Sequence, residues 1–287
     1  MIGPDDYRFL QELLRAQSGL SLGAGKEYLV DSRLPPVVEA HGLADLPALV
    51  RELRAGNATL AKAVCDAMTT GETLFFRDET PFTVFRETLL PEAVARSREA
   101  RRALRVWSAA CSTGQEVYSL AIITDEERRK LAGTAVEFLA TDYSTATLAR
   151  AARGLYSKFE AQRGLPIQLL LKYFTPEGDG FAVRAELRRG MRFIEHNLLA
   201  PCAHLGQFDV IFLRNVLIYF DVATKRAVLE RIARQLVPGG ALVLGGTENT
   251  LGVTDALQRR ADCGTAVYTY ASASPLADGA AALRRLA

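Results

Sequence analysis

From about residue 104 the chain alternates strand-like and helix-like runs, and that alternation leaves few folds open. The runs ALRVWSAA, AVEFLATD, MRFIEHN, FDVIFLRN and GALVLGG read as strands. Between them, TGQEVYSLAIITDEERRK, TATLARAARG and DVATKRAVLERIARQLV read as helices. Such alternation predicts a parallel sheet covered by helices on both faces. The last runs, LQRRADC and TAVYTYA, are close enough to pair as an antiparallel hairpin. Residues 155–190 break the pattern: PIQLLLKYF is helical, and YFTPEGDGFAVRAEL suggests two strand pieces around a turn. A small antiparallel excursion is expected there.

The first 70 residues carry only helical periodicity. Phe9, Leu10, Leu13 and Leu14 fall on one face of a helix that Gly19 suits as a stop. Further helices are expected on either side of Pro35-Pro36, and over LADLPALVRELRAGN and TLAKAVCDAMTTGET. The predicted organisation is an all-helical unit over 1–75, a linker over 76–103, a sheet domain over 104–272 with 155–190 inserted, and a flexible Ala-rich tail over 273–287. The basic run ARSREARRALR, residues 95–105, lacks interleaved aromatics and reads as a solvated linker helix rather than a nucleic-acid groove.

Composition narrows the class. Hydrophobic residues make up 49% and charged residues 24%, with a net charge of +2. That is ordinary for a globular protein and points to no particular polyelectrolyte partner. No apolar run approaches bilayer length, and MIGPDDYRFL lacks a signal-peptide core, so a soluble cytosolic protein is expected, with a monomer as the default. Four cysteines and three histidines show neither C-x-x-C nor metal-ligand spacing; no metal is expected.

In open parallel sheets, ligands sit beyond the carboxyl ends of the strands. Three features fall there. The turn after the first strand, Ala109, Ala110, Ser112, Thr113 and Gly114, is built of small residues that admit close approach of a ligand, or it is simply a tight turn. Asp142 ends the second strand, where a carboxylate can hold both ribose hydroxyls; the plainer reading is a helix N-cap. In FLRNVLIYF, Asn215 and Tyr219 stand beside an apolar wall, as in a half-buried pocket, while Val216, Leu217 and Phe220 read as core. The missing G-x-G-x-x-G argues for a nucleoside without a pyrophosphate. S-adenosylmethionine fits, and Glu116 could answer part of its positive charge. Upstream, MTTGETLFFRDETPF places two Phe and Arg77 where two domains would meet.

Together TTGETLFFRD, VWSAACSTGQEVYSLA, ATD, FDVIFLRNVLIYF and LVPGGALVLGGTE resemble the chemotaxis receptor methyltransferase family, CheR, over residues 4–272. The resemblance implies a class I S-adenosylmethionine-dependent methyltransferase, a Rossmann-like α/β fold with a mostly parallel seven-stranded sheet. It also implies an N-terminal helical domain and a small antiparallel β-subdomain at 155–190. The implied reaction is methyl transfer to glutamate side chains on the cytoplasmic helices of methyl-accepting chemoreceptors, leaving S-adenosylhomocysteine. By resemblance, Thr73, Arg77, Glu116, Asp142, Asn197, Leu198, Arg214 and Asn215 contact the cofactor, and the turn from Ala109 faces its methionine part. Gly71 stands where many members have Asn.

Arg77 and Tyr219 are the catalytic candidates, as groups that align the acceptor carboxylate with the sulfonium. Arg33, Arg51, Arg54 and Lys62 are expected to offer the helical unit's cations to an acidic receptor bundle. The alternatives are a nucleic-acid methyltransferase of the same fold and a non-catalytic cofactor-binding module.

Overall fold

The computed structural model describes residues 2–69 and 71–271, so the expected tail lies outside the described residues. Helices α1 (Pro4–Ser18), α2 (Glu27–Arg33), α3 (Pro35–Ala40), α4 (Leu46–Arg54) and α5 (Ala58–Met68) form the N-terminal unit. Gly19 ends α1 in the left-handed conformation, and Asp45 and Asn57 cap α4 and α5 through their side chains. Leu10, Leu14, Val30, Leu34, Leu49, Leu60 and Val64 close this unit's own core.

Helices α6 (Thr80–Val84) and α7 (Leu90–Glu99), joined by a π-helical turn over Phe85–Leu89, lead into the sheet. There follow β1 (Leu104–Ala109), α8 (Gln115–Glu126), α9 (Arg128–Leu131), β2 (Val136–Asp142), α10 (Thr145–Arg153), β3 (Leu155–Ser157), α11 (Lys158–Gln162), α12 (Ile167–Tyr173), β4 (Phe174–Glu177), β5 (Gly180–Val183) and α13 (Ala185–Arg188). The chain ends its described part with β6 (Met191–Glu195), β7 (Phe208–Leu213), α14 (Val222–Ala233), β8 (Leu236–Leu244), β9 (Leu257–Arg259) and β10 (Val267–Tyr270).

The main sheet has seven strands in the order β6-β2-β1-β7-β8-β10-β9. The first five run parallel, and β10 pairs antiparallel with both β8 and β9. Side chains alternate across its faces, so Val106, Val210, Phe212 and Val243 enter one core, and Trp107, Ile211, Leu213 and Leu242 enter the other. The excursion is a three-stranded antiparallel sheet, β3-β5-β4, with its own aromatic core around Phe75, Tyr118, Tyr156 and Phe174. The strand written as GALVLGG starts earlier than its pattern suggests, at Leu236, because Leu236 pairs with Phe208 and a register shift then absorbs the Pro-Gly-Gly stretch.

The basic run 95–105 is not a solvated linker helix. Helix α7 ends at Glu99, and its apolar face (Leu90, Ala93, Val94) packs with Leu104 and Val106 in the sheet core. Arg102 makes a bidentate pair with Asp209, whose side chain is 0% exposed, at 2.7 and 2.8 Å. Arg105 reaches Glu137 and two backbone carbonyls. A buried carboxylate must be paired, and Arg102 pairs Asp209, with Arg96 3.9 Å away and the Arg105 backbone N–H donating to it at 3.0 Å. Among the described residues, no helix is long and apolar enough to cross a membrane, and no group of three His, Cys, Asp or Glu could hold a metal ion.

Candidate active site

Sheet order reverses between β1 and β7, the switch point where ligands bind in open α/β sheets. A cavity of about 1090 Å³, counted out to its open mouth, lies there beyond the strand ends. Thr73, Arg77, Glu116, Asp142, Asn197, Leu198, Arg214, Asn215 and Tyr219 all line it. Ala109 does not. It is the last residue of β1, and the pleat turns its side chain into the core, fully buried. Ala110, at φ 60°, lines the cavity instead.

The turn holds a run of left-handed residues, Ala110, Ser112 (φ 51°) and Gly114 (φ 95°). Non-glycine residues in this region store strain, which is often found at functional sites. The surroundings hold the turn in place. Ser112 donates its backbone N–H to Asp142 at 2.9 Å and its hydroxyl to the Gly71 carbonyl at 2.8 Å. Gly114 does not line the cavity; a Cβ there would stand 3.0 Å from Ala151 and 3.1 Å from the Tyr156 hydroxyl. Glycine is needed there for packing against the inserted β-subdomain.

Asp142 is not the cap of α10; Ser144 takes that role by accepting from Thr147. One Asp142 oxygen accepts from Ser112 and the other from the Ser144 N–H at 3.1 Å, so each has a further lone pair for a ligand. Burial pushes its pKa above the ordinary carboxylate range, partly opposed by backbone N–H groups of Ser144, Ser112 and Tyr143.

Arg214 has a side chain only 2% exposed, between Glu116 at 3.0 Å and Asp78 at 2.9 Å. It also donates to the Arg77 carbonyl at 2.7 Å, which pins the loop where Phe76, Asp78 and Glu79 take positive φ. Glu116 accepts from the Ser108 hydroxyl at 2.7 Å as well, so its charge is already answered within the protein. Arg77 itself donates to the Glu72 carbonyl at 2.9 Å. Asn197 is spent on structure: it donates to the Gln17 carbonyl of α1 and accepts from the Leu199 N–H. Among the described residues, none hydrogen-bonds the Tyr219 hydroxyl, and the Tyr219 ring packs on both the sheet core and the helical core.

Three contributions escaped the sequence reading. Ser18 and Leu20 bring the helical unit over the cavity as its roof, beside Thr69; Gly19 between the first two was legible only as a helix stop. His196 lines the cavity next to Asn197, with a buried Nε2 that has no partner among the described residues; burial and the neighbouring His204 and Arg231 push its pKa down. Glu248, in the run GGTE, gathers four backbone N–H groups from Gly245 and the segment 215–217. Its acidic side chain in a Gly-rich turn was the available signal.

Of the expected basic face, Arg33 donates to the Met68 carbonyl. Arg54 pairs with Asp6 at 3.1 Å and lies 4.5 Å from the Phe9 ring. Lys62 is tied to the sheet domain. Arg51 is exposed.

These residues fit an adenosine joined to an amino acid. Asp142 offers a carboxylate to the cavity, and the Nε2 of His196 and Nε of Arg214 are buried polar atoms without partners among the described residues. Small residues at 110–112 let a ligand reach the backbone. The chain matches the family model "CheR methyltransferase, SAM binding domain" over residues 71–263 and "CheR methyltransferase, all-alpha domain" over residues 5–69. It is 42% identical over 258 residues to a chemotaxis protein methyltransferase of Vibrio parahaemolyticus, covering 88% of this chain and 92% of that one. It is also 42% identical over 247 residues to chemotaxis protein methyltransferase 1 of Pseudomonas aeruginosa, covering 85% and 89%. Fold, cavity and matches agree, and the chain belongs to the CheR family, as an S-adenosylmethionine-dependent methyltransferase of the class I fold.

Proposed function

We propose that the chain methylates glutamate side chains on the cytoplasmic helices of chemoreceptors, forming glutamyl methyl esters, with Arg77 and Tyr219 aligning the acceptor. The observation that carries this reading is the lining of the cavity. Arg77, Asn215 and Tyr219, whose hydroxyl has no partner among the described residues, line the same cavity on loops pinned by Arg214 and Glu248. Bound S-adenosylmethionine supplies an electrophilic methyl on a sulfonium.

A glutamate carboxylate, with a pKa near ~4.3, is already a nucleophile at neutral pH and needs no general base. The protein's task is then alignment and exclusion of water. Arg77, already donating to the Glu72 carbonyl, can steer a carboxylate without closing a full ion pair that would quench it. Asp142 and the backbone at 197–198 would hold the nucleoside, and the 110–112 turn the amino-acid end. The relatives' names, chemotaxis protein methyltransferases, support the receptor as substrate.

Incubation with methyl-labelled cofactor and a receptor cytoplasmic fragment tests it. Base-labile label on the receptor's glutamates is the expected result. Cofactor binding without transfer would support a binding module instead, and label on RNA or DNA a different acceptor.

A further inference from the structure

Lys62 belongs to α5 in the helical unit, yet its ammonium works at the sheet. It lies 3.2 Å from Asp66 on its own helix and 3.2 Å from Glu195 at the end of β6. It also donates to the backbone carbonyl of Tyr143 and stands 3.4 Å from the centroid of the Tyr143 ring. Glu195 is the register partner of Asp142 across β6 and β2, and Tyr143 follows Asp142 in the chain. One side chain therefore grips both strand ends around the carboxylate that faces the cavity. An isolated surface pair contributes little; Lys62 is two-thirds buried and held from four directions.

We infer that Lys62 is a positioning residue through which the helical unit fixes the Asp142 carboxylate for the cofactor's ribose. The inference rests on the reading of Asp142 as the ribose-binding acid. Around Asp142 stand Cys111 from the turn after β1, Tyr143 beyond β2, Asp66 and Lys62 from α5, and Glu195 from β6. Among these charged groups Lys62 is the cation, and it joins the backbone N–H groups of Ser144, Ser112 and Tyr143 in favouring the ionised form of Asp142 against burial. A partner that shifts α5 would weaken the ribose contact. By reciprocity, cofactor binding steadies α5 on the sheet.

The test is calorimetric titration of the full chain with S-adenosylhomocysteine, from acid to neutral pH. The proteins are wild type, Lys62→Met, Lys62→Arg, Asp142→Asn and the Lys62→Met/Asp142→Asn double variant, with Lys62→Gln replacing Met if that variant does not fold. Lys62→Met is expected to weaken binding about tenfold, the scale of coupling between groups joined through one network of ion pairs and hydrogen bonds. It should also move the acid fall-off of affinity to higher pH, because the carboxyl then protonates more easily. Lys62→Arg should restore most of the affinity, and Lys62→Met should add little on top of Asp142→Asn. Equal losses in both backgrounds with an unmoved pH profile would make Lys62 a plain structural clamp and overturn the inference. So would unchanged affinity in Lys62→Met while Asp142→Asn binds weakly. Wild-type affinity in Asp142→Asn would remove the ribose reading itself, and the inference with it.

Discussion

Glu248 holds Asn215 in a left-handed turn. One carboxylate oxygen accepts the N–H groups of Asn215 and Gly245, each at 2.8 Å, and the other accepts those of Val216 at 3.0 Å and Leu217 at 2.7 Å. Asn215 has φ 59°, a left-handed conformation that asparagine adopts more readily than other residues with a side chain. Hydrogen bonds to a buried charge are worth about 1.5–3 kcal/mol each, enough to hold the strained turn. The same turn sets Asn215 and Tyr219 in the cavity lining.

Glu248→Gln keeps the side-chain length but replaces one acceptor oxygen with a donor that faces two N–H groups. The expected cost is about 2 kcal/mol or more of folding stability, with weaker cofactor binding as the 215–219 turn relaxes. Denaturant unfolding and calorimetry on the same preparation would check both. Wild-type stability in that variant would mean that the turn holds itself.

The cofactor site should release protons on binding. Burial raises the Asp142 pKa above its ordinary value, so free protein retains some protonated carboxyl at mildly acid pH. A ligand that needs the carboxylate then favours deprotonation. Affinity should therefore rise with pH through that raised pKa and level off above it. The apo protein shows the opposite sense: native Asp142 binds more protons than the unfolded chain between the ordinary and raised values, so its contribution to stability declines as pH rises through that window. Calorimetry in two buffers of different ionisation heat measures the proton release. A pH-independent affinity would take Asp142 out of the ribose contact.

Much of this site was legible because its residues sit at strand ends, where chain direction and pleat fix where they point. The strand ends place Asp142 and Arg214 at the cavity, although the Asp142 strand alone read equally as a helix cap. Ala109 misled because one step along β1 moves a side chain from the cavity to the core, and the boundary between strand and turn is not written in the small residues around it. Glu248, Lys62 and Arg102 act on groups 30 or more positions away in the chain. No local pattern announces such partners. The helical roof was hidden for the same reason: Ser18 and Leu20 read as a helix end until the packing of α1 against the 215–220 turn is known, through contacts such as the Ser21 N–H donated to the Tyr219 carbonyl at 2.8 Å.

Tyr219→Phe separates binding from chemistry. The ring remains to bridge the helical and sheet cores, and only a hydroxyl without a protein partner is lost. Transfer to the receptor should slow while cofactor affinity stays within about twofold, the pattern of an interaction made with the reacting groups. Initial rates at saturating cofactor give the answer. Full wild-type turnover would leave Tyr219 as a wall of the pocket.

The test of the helical unit as a receptor-reading surface rests on Arg51. Lys62 and Arg54 are engaged within the protein, and Arg54→Glu would face Asp6 with a like charge, so its effect on activity would mix with lost packing on Phe9. Arg51 is exposed in the last turn of α4, where a cation also favours the helix end. A bundle carrying the target glutamates is acidic, and complementary charge acts mainly on the association rate and is screened by salt. Arg51→Glu should therefore lower the initial rate of receptor methylation several-fold at low ionic strength, flatten its salt dependence and leave cofactor affinity unchanged. The measurement is rate against ionic strength for wild type and variant. Superimposable curves would show that this end of α4 does not meet the receptor, and would direct attention to the inserted β-subdomain as the docking surface.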